Sequence, residues 1–385
     1  MKIPVLFFNP VAYDSTPWVV CCNVARNLDR ARFDVHVAVD ERQPEGDWGE
    51  ATVFRGPLAS AMSGPKWRKV LGVAPLGAVM LRVAAWMRGR RIQIIHVIDN
   101  PSAMVLAYGL CRLTGARLVV HYHDSPRQYA GWQEKAKSLV GRAADVNVGV
   151  SRFRADALEV PRDKVAAVLN GTDPQRFNPT VDPKGLRAEY GIPADAFLLV
   201  EVARYWKTKR QEDFIRALAL ARKQEPRLRG LLIGWQDHRG VTPTGTFLDS
   251  LRALAAAEGV SDALTFATER PDIERVYAAA DAVVLPSVNE PFGLAVIEGM
   301  ACGRPVIGAR SGGIVEIIRD GETGLLVPPK DPAALADAFL RLARDPALCS
   351  RLGAAGRDEI LRGFTLRRLG EDFGALYEKV AAQGR

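Results

Sequence analysis

The stretch from Pro286 to Ile318, PSVNEPFGLAVIEGMACGRPVIGARSGGIVEII, decides the fold. The four residues before it, Ala282–Leu285, are apolar and read as a strand that Pro286 and Ser287 end. Pro291 holds Glu290 in extended backbone and suits the first position of a helix, so the spacing predicts a helix over Phe292–Ala301. The amides of Phe292, Gly293 and Leu294 then point out of a helix start, where phosphate is favoured, and Gly293 lets a ligand approach closely. Glu298 follows Glu290 by eight residues, a helical rise of about 12 Å. Carboxylates that far apart do not act on one bond; they hold opposite ends of one long ligand.

The strand–helix rhythm continues in both directions. Upstream, Ile3–Phe8, Phe33–Val39, Ile94–Ile98, Arg117–His121 and Val146–Val150 read as strands, near-continuously apolar as strands buried on both faces are. Helices fit at Trp18–Leu28, Ser102–Leu113 and Ser151–Leu158. After a polar, proline-punctuated stretch at Thr172–Pro183, strands fit Phe197–Val202, Leu228–Ile233, Leu264–Phe266, Pro305–Gly308 and Gly324–Val327. Helices fit Gln211–Lys223, Phe247–Glu258 and Ile273–Ala280, and the tail from Pro332 to Ala382 is helical in pattern. Such alternation means α/β: two doubly wound parallel-sheet domains, with ligands beyond the carboxyl ends of the strands. The expected domains are 1–180, 181–363 and a last helix over 364–385.

Composition narrows the function classes. With 48% hydrophobic and 25% charged residues the chain is globular, and 385 residues favour two cores over one. Its five cysteines are scattered and form no CxxC, so neither a disulfide framework nor zinc is suggested, and reduced thiols fit best. The apolar run in MKIPVLFFNPVAYD is too short for a signal-peptide core, and no stretch reaches about 18 apolar residues, so a cytoplasmic protein is expected. No G-x-G-x-x-G follows the first strand, which disfavours a dehydrogenase.

The net charge of +8 is local. Residues 51–98 contain no Asp or Glu but hold Arg55, Lys66, Arg68, Lys69, Arg82, Arg88, Arg90 and Arg91. With Trp67 and Trp86 interleaved and Pro75 dividing it into two segments, this region reads either as a helix with a solvated basic face or as a peripheral contact with an anionic membrane. Nucleic acid is not an expected partner.

Arg204 and Lys209, in VARYWKTKRQ just past a strand's carboxyl end, form the second chemical cluster. Two cations beside a helix start neutralise a diphosphate without a metal. No Asp-x-Asp occurs in the chain, so the commonest sign of a magnesium-assisted nucleotide-sugar site is missing, and no cofactor is expected.

Together these motifs resemble family 4 of the retaining glycosyltransferases, with the GT-B fold of two facing Rossmann-like domains. The matching residues are Glu290 and Glu298 (Glu-x7-Glu), Arg204 and Lys209 (Arg-x4-Lys), and Gly312, Gly313 and Glu316 (GG-x2-E). Upstream, Val150, Ser151, Asn170, Gly171, Asp173 and Phe177 fit the segment leading to the second domain. The resemblance implies transfer of a hexosyl group from a UDP- or GDP-sugar, with retention, to a glycan, lipid-linked or small-molecule acceptor. It implies that Arg204 and Lys209 bind the donor diphosphate, that Glu290 contacts the sugar and Glu298 the ribose, and that Phe292, Gly293 and Leu294 present amides. The 267–270 loop, with Thr268 and Arg270, would lie against the base. His123 of HYHD matches the active-site histidine on the acceptor side, beside Asp124, and the last helix would return to the first domain. His121 and His123, alternating on a strand, are expected to point to opposite faces.

The chain also departs from the family pattern. Ala203 and Arg210 replace glycines, Thr268 replaces another, and the usual glycine-rich first loop is NPVAYDSTPW. Tyr13, Asp14, Ser15 and Thr16 therefore become acceptor-side candidates, and Arg210 is either a third phosphate contact or a solvated side chain. Two alternatives stand beside the transferase: a GT-B nucleotide-sugar epimerase or hydrolase, and a non-catalytic nucleotide-sugar-binding partner of a membrane glycosyltransferase.

Overall fold

A computed structural model describes residues 2–11, 16–44, 46–58, 73–124, 131–234 and 244–383, without the side chains of 16, 73–75 and 244–246. The chain forms two compact units, one of Met1–Asn170 with Leu366–Arg385 and one of Gly171–Thr365. The junction lies at 170/171, where a polar and proline-rich sequence had suggested residue 180.

In the first unit the elements run β1 (Ile3–Asn9), α1 (Thr16–Asn27), β2 (Phe33–Asp40), β3 (Thr52–Gly56), α2 (Val73–Gly89), β4 (Ile94–Ile98), α3 (Pro101–Thr114), β5 (Arg117–Tyr122), α4 (Trp132–Ala143), β6 (Val146–Gly149), α5 (Arg152–Asp156) and β7 (Val165–Ala167). Its sheet has the order β3-β2-β1-β4-β5-β6-β7, with every pairing parallel. The sequence pattern missed β3 and β7. Both are edge strands that bury little (β3 is exposed at three of five positions), so neither carries the apolar run that marks a central strand. Pro75 lies in the first turn of α2, where a missing N–H breaks no intrahelical bond, and whether it divides the basic segment turns on residues 59–72, which lie outside the described residues. Helix α3 shows the local logic well. Asn100 accepts from the amides of Ser102 and Ala103, Pro101 is the first helical residue, and Gly115 at φ +77° closes the end.

The second unit contains α6 (Leu186–Glu189), β8 (Phe197–Val202), α7 (Gln211–Arg222), β9 (Leu228–Gly234), α8 (Thr244–Ala257), β10 (Leu264–Thr268), α9 (Ile273–Ala279), β11 (Ala282–Leu285), α10 (Leu294–Ala301), β12 (Val306–Ala309), β13 (Leu325–Val327), α11 (Pro332–Arg344) and α12 (Pro346–Gly363). The sheet order is β10-β9-β8-β11-β12-β13, again all parallel. The order reverses between β8 and β11, paired at Val200↔Val283, and that switch point is where an open parallel sheet leaves a crevice. Phe214, Leu218, Leu251 and Phe339 fill one side of this sheet. In α11 and α12 a repeated Asp-Pro works the same way: Asp331 and Asp345 each accept the amide three residues on, ahead of Pro332 and Pro346.

The last helix, α13 (Leu366–Ala382), belongs to the first unit. A Cβ on Gly370 would come within 2.1 Å of the Asn27 carbonyl, so only glycine lets α13 press on the end of α1. The Tyr377 hydroxyl meets His96 Nδ1 at 2.5 Å, and Arg32 Nε donates to Glu378 at 2.9 Å. Among the described residues no helix is long and apolar enough to cross a membrane.

Candidate active site

The second-unit cluster sits on the loops after β8 and β11. Lys209 Nζ donates to Glu290 Oε2 at 2.6 Å, with both side chains largely buried. The two loops are tied by Val288 N donating to Thr208 O at 2.9 Å. Arg204 is exposed, and its guanidinium has no partner among the described residues. Arg210 adopts φ +62° and forks onto Asp213 at 2.7 and 2.8 Å.

The helix after Glu290 starts later than its proline implied. Residues 290–293 are loop, Gly293 caps at φ +114°, and α10 begins at Leu294. The amides opening the helix are therefore those of Gly293, Leu294 and Ala295, while Phe292 is buried against Phe364, ring centres 6.2 Å apart. The 12 Å helical spacing between Glu290 and Glu298 falls with the later start, since half that interval is not helix.

Gly312 and Gly313 explain how Glu290 is aimed. A Cβ on Gly312 would lie 2.3 Å from the Glu290 carbonyl oxygen, and Gly312 holds φ +67°. Gly313 N donates to that same oxygen at 2.8 Å. Asn289, at φ +54°, is held by its amide on Ser311 Oγ at 3.0 Å. The glycine pair is a floor on which the Glu290 loop rests.

Glu298, one turn into α10, accepts from the Tyr277 hydroxyl at 2.7 Å. Burial raises its pKa to about 7, against the opposing pull of Tyr277 and Arg176. Thr268 ends β10 and is exposed, whereas Arg270 is committed to Asp272, Glu189 and the Tyr190 hydroxyl at 2.6 to 2.9 Å. Asp173 accepts from Gln175 N, and Phe177 packs on Tyr277 with ring centres 5.9 Å apart.

One residue of this site escaped the sequence reading. Glu201 on β8 is 1% exposed, and neither carboxyl oxygen has a hydrogen-bond partner among the described residues. Burial holds its pKa well above the usual range, and Lys209 is the chief charge opposing that. A charged residue inside an otherwise apolar strand, FLLVEV, was the available signal.

In the first unit, His123 lies just past β5. Its amide donates to Asp99 Oδ1 at 3.1 Å, and its Nε2 has no partner among the described residues. Burial lowers its pKa to about 4, so the ring is neutral at pH 7. Burial would raise the Asp99 pKa, but Lys137 at 2.7 Å and Arg154 outweigh it and the carboxylate stays ionised. His121 and His123 do not face opposite sides: their rings lie 4.0 Å apart, because residues two apart share a face. His121 Nδ1 meets His96 Nε2 at 3.2 Å, which meets Cys21 Sγ at 3.5 Å, giving a buried network that ends on Tyr377. Asp124 follows, its carbonyl accepting from Arg154 Nε. Tyr13, Asp14 and Ser15 lie outside the described residues, as does the side chain of Thr16; Lys66, Arg68 and Lys69 do as well.

Residues 18–176 match the family described as Glycosyltransferase Family 4, and residues 184–359 match Glycosyl transferases group 1. A D-inositol 3-phosphate glycosyltransferase of Stackebrandtia nassauensis is 31% identical over 308 residues, covering 76% of this chain and 65% of that protein. One from Streptomyces bingchenggensis is 37% identical, covering 70% and 58%, so the chain spans about three fifths of these relatives. One from Thermomonospora curvata is 34% identical over 394 residues, covering 84% and 89%. In fold, the chain is similar to Anabaena HepE in complex with UDP and glucose (TM-score 0.81, 20% identity, 98% and 100% coverage). It is similar also to a sucrose-phosphate synthase from Thermosynechococcus elongatus (TM-score 0.79, 25% identity, all of both chains). By these matches and its two parallel Rossmann-like sheets, the chain belongs to family 4 of the GT-B glycosyltransferases.

Proposed function

We propose that the chain transfers a hexosyl group from a nucleoside diphosphate sugar, with retention, to a phosphorylated acceptor, free or lipid-linked. The observation that carries this is the Lys209–Glu290 pair, set before the start of α10 at the sheet's switch point. A diphosphate there meets Lys209, Arg204 and the amides of Gly293 and Leu294, and Lys209 leaves Glu290 for the stronger anion. Glu290, released, accepts from sugar hydroxyls, and Glu298 takes the ribose end. As the glycosidic bond breaks, charge grows on the diphosphate, and fixed cations and amides aimed at it lower the barrier without a metal. The departing phosphate oxygen takes the acceptor's proton, so the new bond forms on the face the diphosphate leaves.

The acceptor reading rests on relatives named for D-inositol 3-phosphate, a phosphorylated polyol, and on the cationic surroundings of Asp99 near His123. The local excess of positive charge in residues 51–98 supports a reading in which the protein works at an anionic membrane surface on its cytoplasmic side.

A thermal-shift panel of nucleotide sugars tests the donor. A ligand at about 100 times its Kd adds about 2.7 kcal/mol of stability. Transfer in the presence of chelator, with the product anomer assigned by NMR, tests the rest. Activity that vanished in chelator and returned only with magnesium or manganese would sink the metal-free mechanism.

A further inference from the structure

Helices α2, α3 and α4 lie side by side on the first unit, α2 against α3 and α3 against α4, and Arg88 Nη2 donates to Leu113 O at 2.5 Å where two of them meet. Their outward sides carry Leu81 (59% exposed), Val105 (43%), Leu113 (43%), Trp132 (63%) and Leu139 (70%). Five of the eleven large apolar side chains exposed among the described residues are thus on three neighbouring helices. Between them stand the exposed cations Arg82, Arg88, Arg112, Lys135 and Arg142. Neither α2 nor α3 contains an acid, and the only one in α4, Glu134, is half-buried.

We infer that this three-helix face docks on an anionic lipid surface. Trp132, Lys135, Leu139 and Arg142 recur at helical spacing along one side of α4, so apolar and basic groups reach the same plane together. Leucine and tryptophan enter the headgroup boundary while arginine and lysine lie against phosphate. A second copy of the chain would oppose five cations with five, and a polyanion in water would leave the apolar side chains unused. The inference deepens the lipid-linked reading proposed above and uses none of the residues assigned to the donor.

Co-sedimentation of the full chain with phosphatidylcholine vesicles, with and without phosphatidylglycerol, tests it. Pelleting should require the anionic lipid and weaken with salt. Arg112→Glu with Lys135→Glu should lower partitioning about tenfold or more. Trp132→Ser with Leu139→Ser should also lower it, while melting temperature and donor-induced thermal shift stay unchanged in both. Equal pelleting by wild type and variants overturns the inference. So does equal binding to duplex DNA, or a gel-filtration dimer that Leu139→Ser dissolves. Vesicle binding without any nucleotide-sugar thermal shift would instead sink the transferase reading and leave the face standing.

Discussion

Lys209 and Glu290 hold one another at 2.6 Å, although the donor is expected to need them on two adjoining groups, the diphosphate and the sugar. The pair keeps both side chains ordered, because neither charge is left buried alone. Lys209→Ala should therefore do two kinds of damage, losing the diphosphate cation and leaving Glu290 unpaired. A fall in kcat of about 100- to 1000-fold is expected, as for loss of one preorganised donor to a developing anion. Single-turnover rates at saturating donor, beside calorimetric binding of the nucleoside diphosphate, separate the two losses.

Gly312→Ala should displace the Glu290 loop, since its Cβ would overlap backbone and not a yielding side chain. The positive φ adds strain of about 1 kcal/mol or more. A drop in kcat of at least about tenfold is expected, with nucleoside diphosphate affinity changing less. An unchanged kcat would contradict the role of the glycine pair as the floor beneath Glu290.

Glu298 makes stability depend on pH. Its folded pKa of about 7 lies above the ordinary 4.5, so between those values the native state binds more protons than the unfolded chain. Stability therefore falls as pH rises through that window, by at most about 3 kcal/mol. Glu298→Gln should flatten the decline, and Tyr277→Phe should extend it to higher pH, because the Tyr277 hydroxyl favours the ionised form. Melting curves across the pH range read this directly.

Glu201 should behave in the same direction. Its raised pKa means that folding favours the protonated carboxyl of a group that is ionised when unfolded at neutral pH. Glu201→Gln should match the wild type near pH 4 and become the more stable protein as pH rises. Equal melting temperatures at pH 8 would show that Glu201 has a partner that stabilises its charge.

The central strands and the order of chemical groups along the chain were legible because buried parallel strands are written as short apolar runs, and chemistry was read from motif spacing. Ile94–Ile98, Phe197–Val202 and Ala282–Leu285 match to the residue. Edge strands β3 and β7 were not legible, since a strand that buries little is chemically like a loop. The start of α10 was misplaced because Pro291 is compatible with both helix and loop, and only contact with the Gly312 turn chooses. The shared face of His121 and His123 was open to period-two reasoning and was misread.

The residues at 204, 209, 290 and 298 therefore pointed, without coordinates, to the family to which the chain belongs, because motif spacing is a local property of the sequence. Tertiary structure alone decided that Lys209 rests on Glu290, that Arg210 is taken by Asp213, and that Glu201 is sealed away from any partner among the described residues. Those facts depend on which strands become neighbours, and neighbours in a doubly wound sheet are set by burial of whole faces, which no single stretch of sequence records.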